Sequence, residues 1–214
     1  VGSINNAIDA FIPAAAADRT IINLICGLLI AFLVGIITFG GIKRIGSVTE
    51  KLIPFMSLLY IAFTLVVIFG HISNIGNCFA LIFKTAFTPQ AVFGAASGIV
   101  LKQTIVWGLR RSAFSNEAGL GSAAIAHAAA DTKSPVQQGL YGIFEVFADT
   151  IVICSLTALA IICSGVNIDF GVKPGSELIT SAFATVFGEK FAALFVAVAL
   201  MLFAFSTVLG WSLY

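Results

Sequence analysis

The sequence predicts an all-α membrane protein, and three observations predict it. Of 214 residues, 59% are hydrophobic and only 10% are charged, whereas a soluble domain carries roughly 25% charged residues. Mean hydropathy is +1.08. Uncharged runs recur at residues 21–42, 52–70, 150–168 and 191–214, each near the roughly 20 apolar residues that cross a bilayer. The net charge of +1 offers no basic face to nucleic acid, so the lipid bilayer is the partner that composition implies. Cys26, Cys78, Cys154 and Cys163 show no metal-ligand spacing and read as apolar filler.

Taken in order, residues 1–20 precede a first span at 21–42. "KRIGSVTEK", with Lys43, Arg44 and Lys51, then reads as a loop whose positive charge places it on the cytoplasmic side. A second span follows at 52–70. Alternation puts residues 1–20, 71–97 and 164–190 outside and 131–136 inside, although Arg19, Lys84, Lys173 and Lys190 lie in outer segments. Phe79, Ile82, Phe83 and Phe87 recur near helical spacing before Pro89; the run is too short to span and reads as an interfacial helix. The next crossing has to come from residues 98–130, broken near 114–121. In "DTKSPVQQG", Ser134 reads as a helix cap and Pro135 as a first helical residue, opening a span at 136–163. The last span is 190–213, and all five form a single transmembrane domain. Val1 is not Met and Tyr214 stops inside an apolar run, so the chain reads as a part of a longer protein.

The stretch "RRSAFSNEAGLGSAAIAHAAADTKSP", residues 110–135, carries the chemistry. Inside lipid every backbone N–H and C=O needs a partner, so irregular backbone persists only against protein or a water-filled cavity. Gly119 and Gly121 each weaken a helix by about 1 kcal/mol relative to Ala, and Ser115 and Asn116 compete for backbone bonds. Arg110, Arg111 and Glu117 would each cost about 2.5–3.5 kcal/mol facing lipid. They therefore read as structural or gating residues, with Glu117 the partner of an arginine.

A broken helix has two useful ends. The arriving end, near Phe114, offers bare carbonyls to a cation or an ammonium group; the departing end, from Ser122, offers bare N–H groups to a carboxylate. A zwitterionic amino acid fits both, which makes Ala113, Phe114, Ser115, Asn116, Gly119, Gly121 and Ser122 the candidate substrate-binding residues. Ser115 and Asn116 point either into the pocket or at the loop's own backbone. Ala113, Ala118, Gly119 and Gly121 leave room for a small substrate only. His127 and Asp131, four apart, read as an ion pair at a helix end, and Glu145 and Asp149, also four apart, as two acids on one wet or structural face. An enzyme is not indicated, because Ser115, Glu117 and His127 straddle the break without a nucleophile–base geometry.

"GLRRSAFSNEAGLGSAAIAHAAADTKSPVQQGLYGIFEVFADTIVICSLTAL", residues 108–159, resembles the corresponding stretch of the sodium:alanine (alanine or glycine:cation) symporters, in the amino acid-polyamine-organocation superfamily. "FGGIKRIG" at 39–46, "ALIFKTAFTPQA" at 80–91 and "LFAFSTVLGWSLY" at 202–214 extend the likeness. Leu213 departs from it, standing where a tyrosine is expected. The resemblance implies a leucine-transporter-like inverted-repeat helical bundle, of which this chain is a partial copy holding the middle helices, multi-pass in a prokaryotic cell (inner) membrane. It implies sodium-coupled symport of alanine or glycine by alternating access. The adjacent hydroxyls Ser206 and Thr207 would hold the sodium ion, and the broken helix the substrate. A proton-coupled amino acid permease of the same fold is the alternative; two hydroxyls suited to a hard cation argue against it.

Overall fold

A computed structural model of the chain describes residues 2–11, 19–87, 99–168 and 175–213, so Pro89 and Lys173 lie outside the described residues. Among the described residues all regular structure is helical. The helices are α1 (Gly2–Phe11), α2 (Arg19–Thr38), α3 (Gly41–Gly70), α4 (Ile75–Ala86), α5 (Ile99–Ser115), α6 (Ser122–Ala128), α7 (Pro135–Cys163), α8 (Ser176–Phe187) and α9 (Glu189–Trp211). Four stretches are long and apolar enough to cross a membrane: Thr20–Thr38, Gly41–Gly70, Pro135–Cys163 and Glu189–Trp211.

The basic stretch after the first span is not a loop. The chain turns at Phe39 and Gly40, where Phe39 N donates to Gly35 O at 2.9 Å and Gly40 N to Ile37 O at 3.0 Å. From Gly41 it is helical again, so Lys43, Arg44 and Lys51 lie within α3. Lys, Arg and Glu are good helix formers, and polarity alone does not end a helix. The 30 residues of α3 extend about 45 Å at about 1.5 Å per residue, against a hydrocarbon core of about 30 Å. The surplus carries the basic turns into the headgroup layer, where long cationic side chains keep their heads in water.

Two segments placed outside the membrane in the sequence also contain helices. Residues 164–190 hold α8, whose Ala182 and Phe183 are fully buried. Residues 1–20 hold α1, with Ala7 buried. Each is too short to span, so the search for long apolar runs passed over both.

The chain forms two compact units, residues 1–71 with 156–214 and residues 72–155. In the first, α9 packs against α1, α2, α3 and α8. Ala193 and Ala197 meet Ala7 and Ala10 of α1; small side chains let helix backbones approach closely, which matters in lipid, where apolar burial gives little drive between helices. Aromatic rings fill the rest. Phe63 of α3 lies 4.4 Å from Phe195 of α9, and Phe183 of α8 lies 5.4 Å from the same ring. A polar bond joins α3 to α7, between the hydroxyls of Tyr60 and Thr157 at 2.8 Å. Asn5 donates to Asn23 at 2.9 Å, tying α1 to α2.

Phe183 is 0% exposed and stacks within this cluster. Phe183→Ala is expected to destabilise the protein by about 3–5 kcal/mol, seen as a lowered melting temperature of the full-length protein in detergent, whereas Phe39→Ala, at a ring 96% exposed, leaves it within about 0.5 kcal/mol.

Candidate functional site

The site is built in the second unit, where one helix stops and another starts with six residues between them. At the end of α5, Asn116 N donates to Ser112 O at 3.0 Å, Glu117 N to Phe114 O at 3.4 Å and Ala118 N to Ala113 O at 2.9 Å. The last two are the paired bonds of a Schellman closure, whose left-handed residue is most often glycine. Here that residue is Glu117, at φ 50, the one non-glycine with positive φ among the described residues. A left-handed side-chain-bearing residue costs about 1–2 kcal/mol, so something has to hold it. Its carboxylate accepts the Ser122 hydroxyl at 2.8 Å, reaching from the end of α5 to the first residue of α6. Ser122 is buried, and an anion beside a helix start is favoured by the helix dipole. Glu117 thus clasps the two half-helices together.

Between them, Leu120 N donates to Glu117 O at 3.3 Å, and Gly119 and Gly121 take φ 79 and φ 80, angles that suit glycine and strain other residues. Among the described residues, no backbone N–H donates to the carbonyls of Ser115, Asn116, Ala118 or Gly119. These oxygens are acceptors that the interruption leaves over. On the approach to it, the Arg110 guanidinium lies 5.9 Å from the centre of the Trp107 ring, a cation–π distance.

Past α6 the chain reverses and α7 runs back alongside both halves. Its start is locally encoded: the Ser134 hydroxyl accepts from Gln137 N at 3.2 Å and Pro135 takes the first helical position. The Gln138 amide nitrogen lies 2.6 Å from His127 Nδ1. The other ring nitrogen, Nε2, lies 3.9 Å from the Glu145 carboxylate. Further along, α7 widens from an α-helix into a π-helical turn over Phe147–Cys154 before resuming at Ser155. There the Ser115 hydroxyl donates to Asp149 Oδ2 at 2.6 Å, and the Thr150 hydroxyl donates to Asn116 Oδ1 at 3.1 Å.

These contacts correct one expectation. His127 and Asp131 do not pair: α6 ends at Ala128, so Asp131 falls beyond the helix, where four-residue spacing no longer brings side chains together. Ser115 and Asn116 both reach α7, and the Asn116 amide also donates to Ser112 O at 3.2 Å. Glu145, exposed, lies 3.9 Å from His127, and Asp149 accepts from Ser115 further along, so the two acids meet different halves of the broken helix. Thr150 and Gln138 were passed over in the sequence, where their only signal is polarity inside the apolar stretch 136–163.

Ser206 and Thr207 belong to α9, in the first unit. Both hydroxyls donate to Phe203 O, at 2.8 and 2.9 Å. Each has thereby spent its proton on the preceding turn and keeps oxygen lone pairs for a cation. Ser206 is buried and Thr207 exposed.

Membrane-length helices combined with one helix interrupted by polar residues define a polytopic membrane protein of the transporter class. The sequence matches the model of the Sodium:alanine symporter family over residues 2–214, and the chain belongs to that family. Among its relatives, the sodium/alanine symporter AgcS of Methanococcus maripaludis is 40% identical over 203 residues, covering 94% of this chain and 44% of the relative. The probable sodium/glutamine symporter GlnT of Bacillus subtilis is 39% identical, covering 88% of this chain and 38% of the relative. The sodium/proton-dependent alanine carrier protein of Bacillus sp. (strain PS3) is 33% identical, covering 95% and 47%. The chain thus spans less than half the length of these relatives.

Two substitutions separate the strain at Glu117 from its clasp. Glu117→Ala and Glu117→Gly both lose the bond to Ser122, but only glycine accepts the left-handed angle freely. The glycine variant is expected to be more stable than the alanine variant by about 1 kcal/mol or more, measured by melting of the full-length protein; equal melting temperatures would contradict the left-handed turn.

Proposed function

We propose that the chain supplies the middle helices of a sodium-coupled symporter that takes up a small amino acid, alanine or glycine, by alternating access. The observation that carries this reading is the interruption at residues 116–121, where bare carbonyls stand in a chain otherwise apolar enough to live in lipid. Residues 113–122 form the substrate site in this reading. The carbonyls of Ser115 and Asn116 take the ammonium group. Glu117 already places a carboxylate at the start of α6, so the substrate carboxylate approaches the remaining N–H groups there beside it. Ala113, Ala118, Gly119 and Gly121 limit the space to a small side chain. Sodium binds at Ser206 and Thr207.

In this reading α2, α3, the α5 and α6 pair, α7 and α9 make five crossings of a leucine-transporter-like inverted-repeat bundle, and the interrupted helix rocks with its neighbours to expose the site to each side in turn. One sodium ion moving down 100 mV supplies about 2.3 kcal/mol, roughly a fiftyfold concentration ratio. That is enough for useful accumulation. The printed names of two relatives support sodium and alanine, and the name of one adds protons. A proton-coupled permease of the same fold is therefore the second reading.

Uptake of labelled alanine by the full-length protein in proteoliposomes separates them. Replacing sodium by choline at fixed pH is expected to abolish accumulation, and undiminished uptake would leave the proton reading. Ser206→Ala combined with Thr207→Val is expected to raise the sodium concentration for half-maximal uptake by about tenfold, equivalent to about 1.4 kcal/mol; an unchanged sodium dependence would remove these hydroxyls from the ion site.

A further inference from the structure

An α-helix that widens into a π-helical turn is rare, and such turns concentrate at functional sites. In α7 the turn at Phe147–Cys154 lies where the helix passes the end of α5. Its effect is specific. Two consecutive residues, Asp149 and Thr150, engage two consecutive residues, Ser115 and Asn116, through bonds of 2.6 and 3.1 Å.

The ladder ends on the atoms that matter most to the proposed site. Ser115 is the last residue of α5 and Asn116 its cap, and among the described residues no backbone N–H donates to either carbonyl. Ser115 donates to an acidic side chain, the stronger kind of hydrogen bond when that group is ionised. Asn116 is held from both sides, by Thr150 at its oxygen and by Ser112 O at its amide. Rotation of the helix end would break both rungs together.

We propose that Asp149 and Thr150 are positioning residues for substrate binding: set side by side by the π-helical turn, they hold Ser115 and Asn116 so that the bare carbonyls at the end of α5 face the ligand. The inference rests on the symport reading above for what that ligand is. Asp149 acts here as a hydrogen-bond acceptor. The role needs its acceptor oxygen and not its charge.

The substitutions follow from that distinction. Asp149→Asn keeps an acceptor oxygen of the same reach and removes the charge, and Thr150→Ser keeps the hydroxyl; Asp149→Ala and Thr150→Val remove the rungs. In the full-length protein in proteoliposomes, the two removing variants are expected to raise KM for alanine about tenfold or more, the worth of one such bond, with kcat per inserted protein within about threefold. The two conservative variants restore KM to near wild type. Ser115→Ala with Asp149→Ala is expected to be no worse than the poorer single variant, as for two residues sharing one interaction. An Asp149→Asn variant as impaired as Asp149→Ala would overturn the acceptor role in favour of a charged one. A loss confined to kcat or to the amount of folded protein would overturn positioning in favour of a merely structural contact.

The same pair of substitutions is read by melting of the full-length protein in detergent, which needs no transport. If the wild type moves no alanine, the symport reading falls, and the ladder is judged by melting alone: it stands if the two substitutions are non-additive and falls if they add. If alanine moves and the KM effects add, the symport reading survives and the positioning inference fails.

Discussion

A polypeptide in hydrocarbon has no water to satisfy its backbone, and this constraint governs the chain more than any other. A helix meets it automatically, which is why membrane-crossing chains are helices. A helix end inside the membrane meets it only by construction. The end of α5 shows how such a closure is made: three amides fold back on its last turn, a glutamate accepts a left-handed angle to close it, and the same glutamate reaches the start of α6. What the closure leaves over, a small set of carbonyls, is the chemical content of the site.

The two compact units answer the constraint differently. In the first, helices meet through alanines and stacked phenylalanines, with a Tyr60–Thr157 bond among them. Dispersion and close approach carry most of the contact there, beside a few side-chain hydrogen bonds such as Asn5 to Asn23. In the second, α7 is tied to the broken helix by side chains at four positions: Gln138 and Glu145 at His127, Asp149 at Ser115, Thr150 at Asn116. Hydrogen bonds are directional and apolar packing is not, so an interruption that has to keep its shape is held by the former. The π-helical turn is the local cost of matching α7 to a partner that is not a continuous helix.

Legibility in the sequence followed the range of each interaction. The start of α7 was readable because Ser134 and Pro135 act on their immediate neighbours. The polar, glycine-rich run at 115–121 explains why helix formation is costly there, for the same local reason. Where a reading needed the chain to remain helical over several residues, it failed: His127 and Asp131 share a face only if α6 continues, and it stops at Ala128. The basic residues of α3 misled in the opposite sense, since charge argues against lipid and says nothing against a helix. The short helix α8 was missed because its burial comes from α3 and α9, and twelve residues give no signal of their own at membrane length.

The sequence by itself determined that this chain lives in a bilayer, that its structure is helical, and that one stretch of it resists being a helix; composition and local propensity act within a turn or two and survive without tertiary context. Only the tertiary structure decided what the resisting stretch bonds to. Glu117 closes on Ser122 five residues away, and Ser115 and Asn116 find Asp149 and Thr150 thirty-four residues on. No spacing rule reaches that far, because those partners meet only when α7 folds back antiparallel and widens by one π turn beside the break.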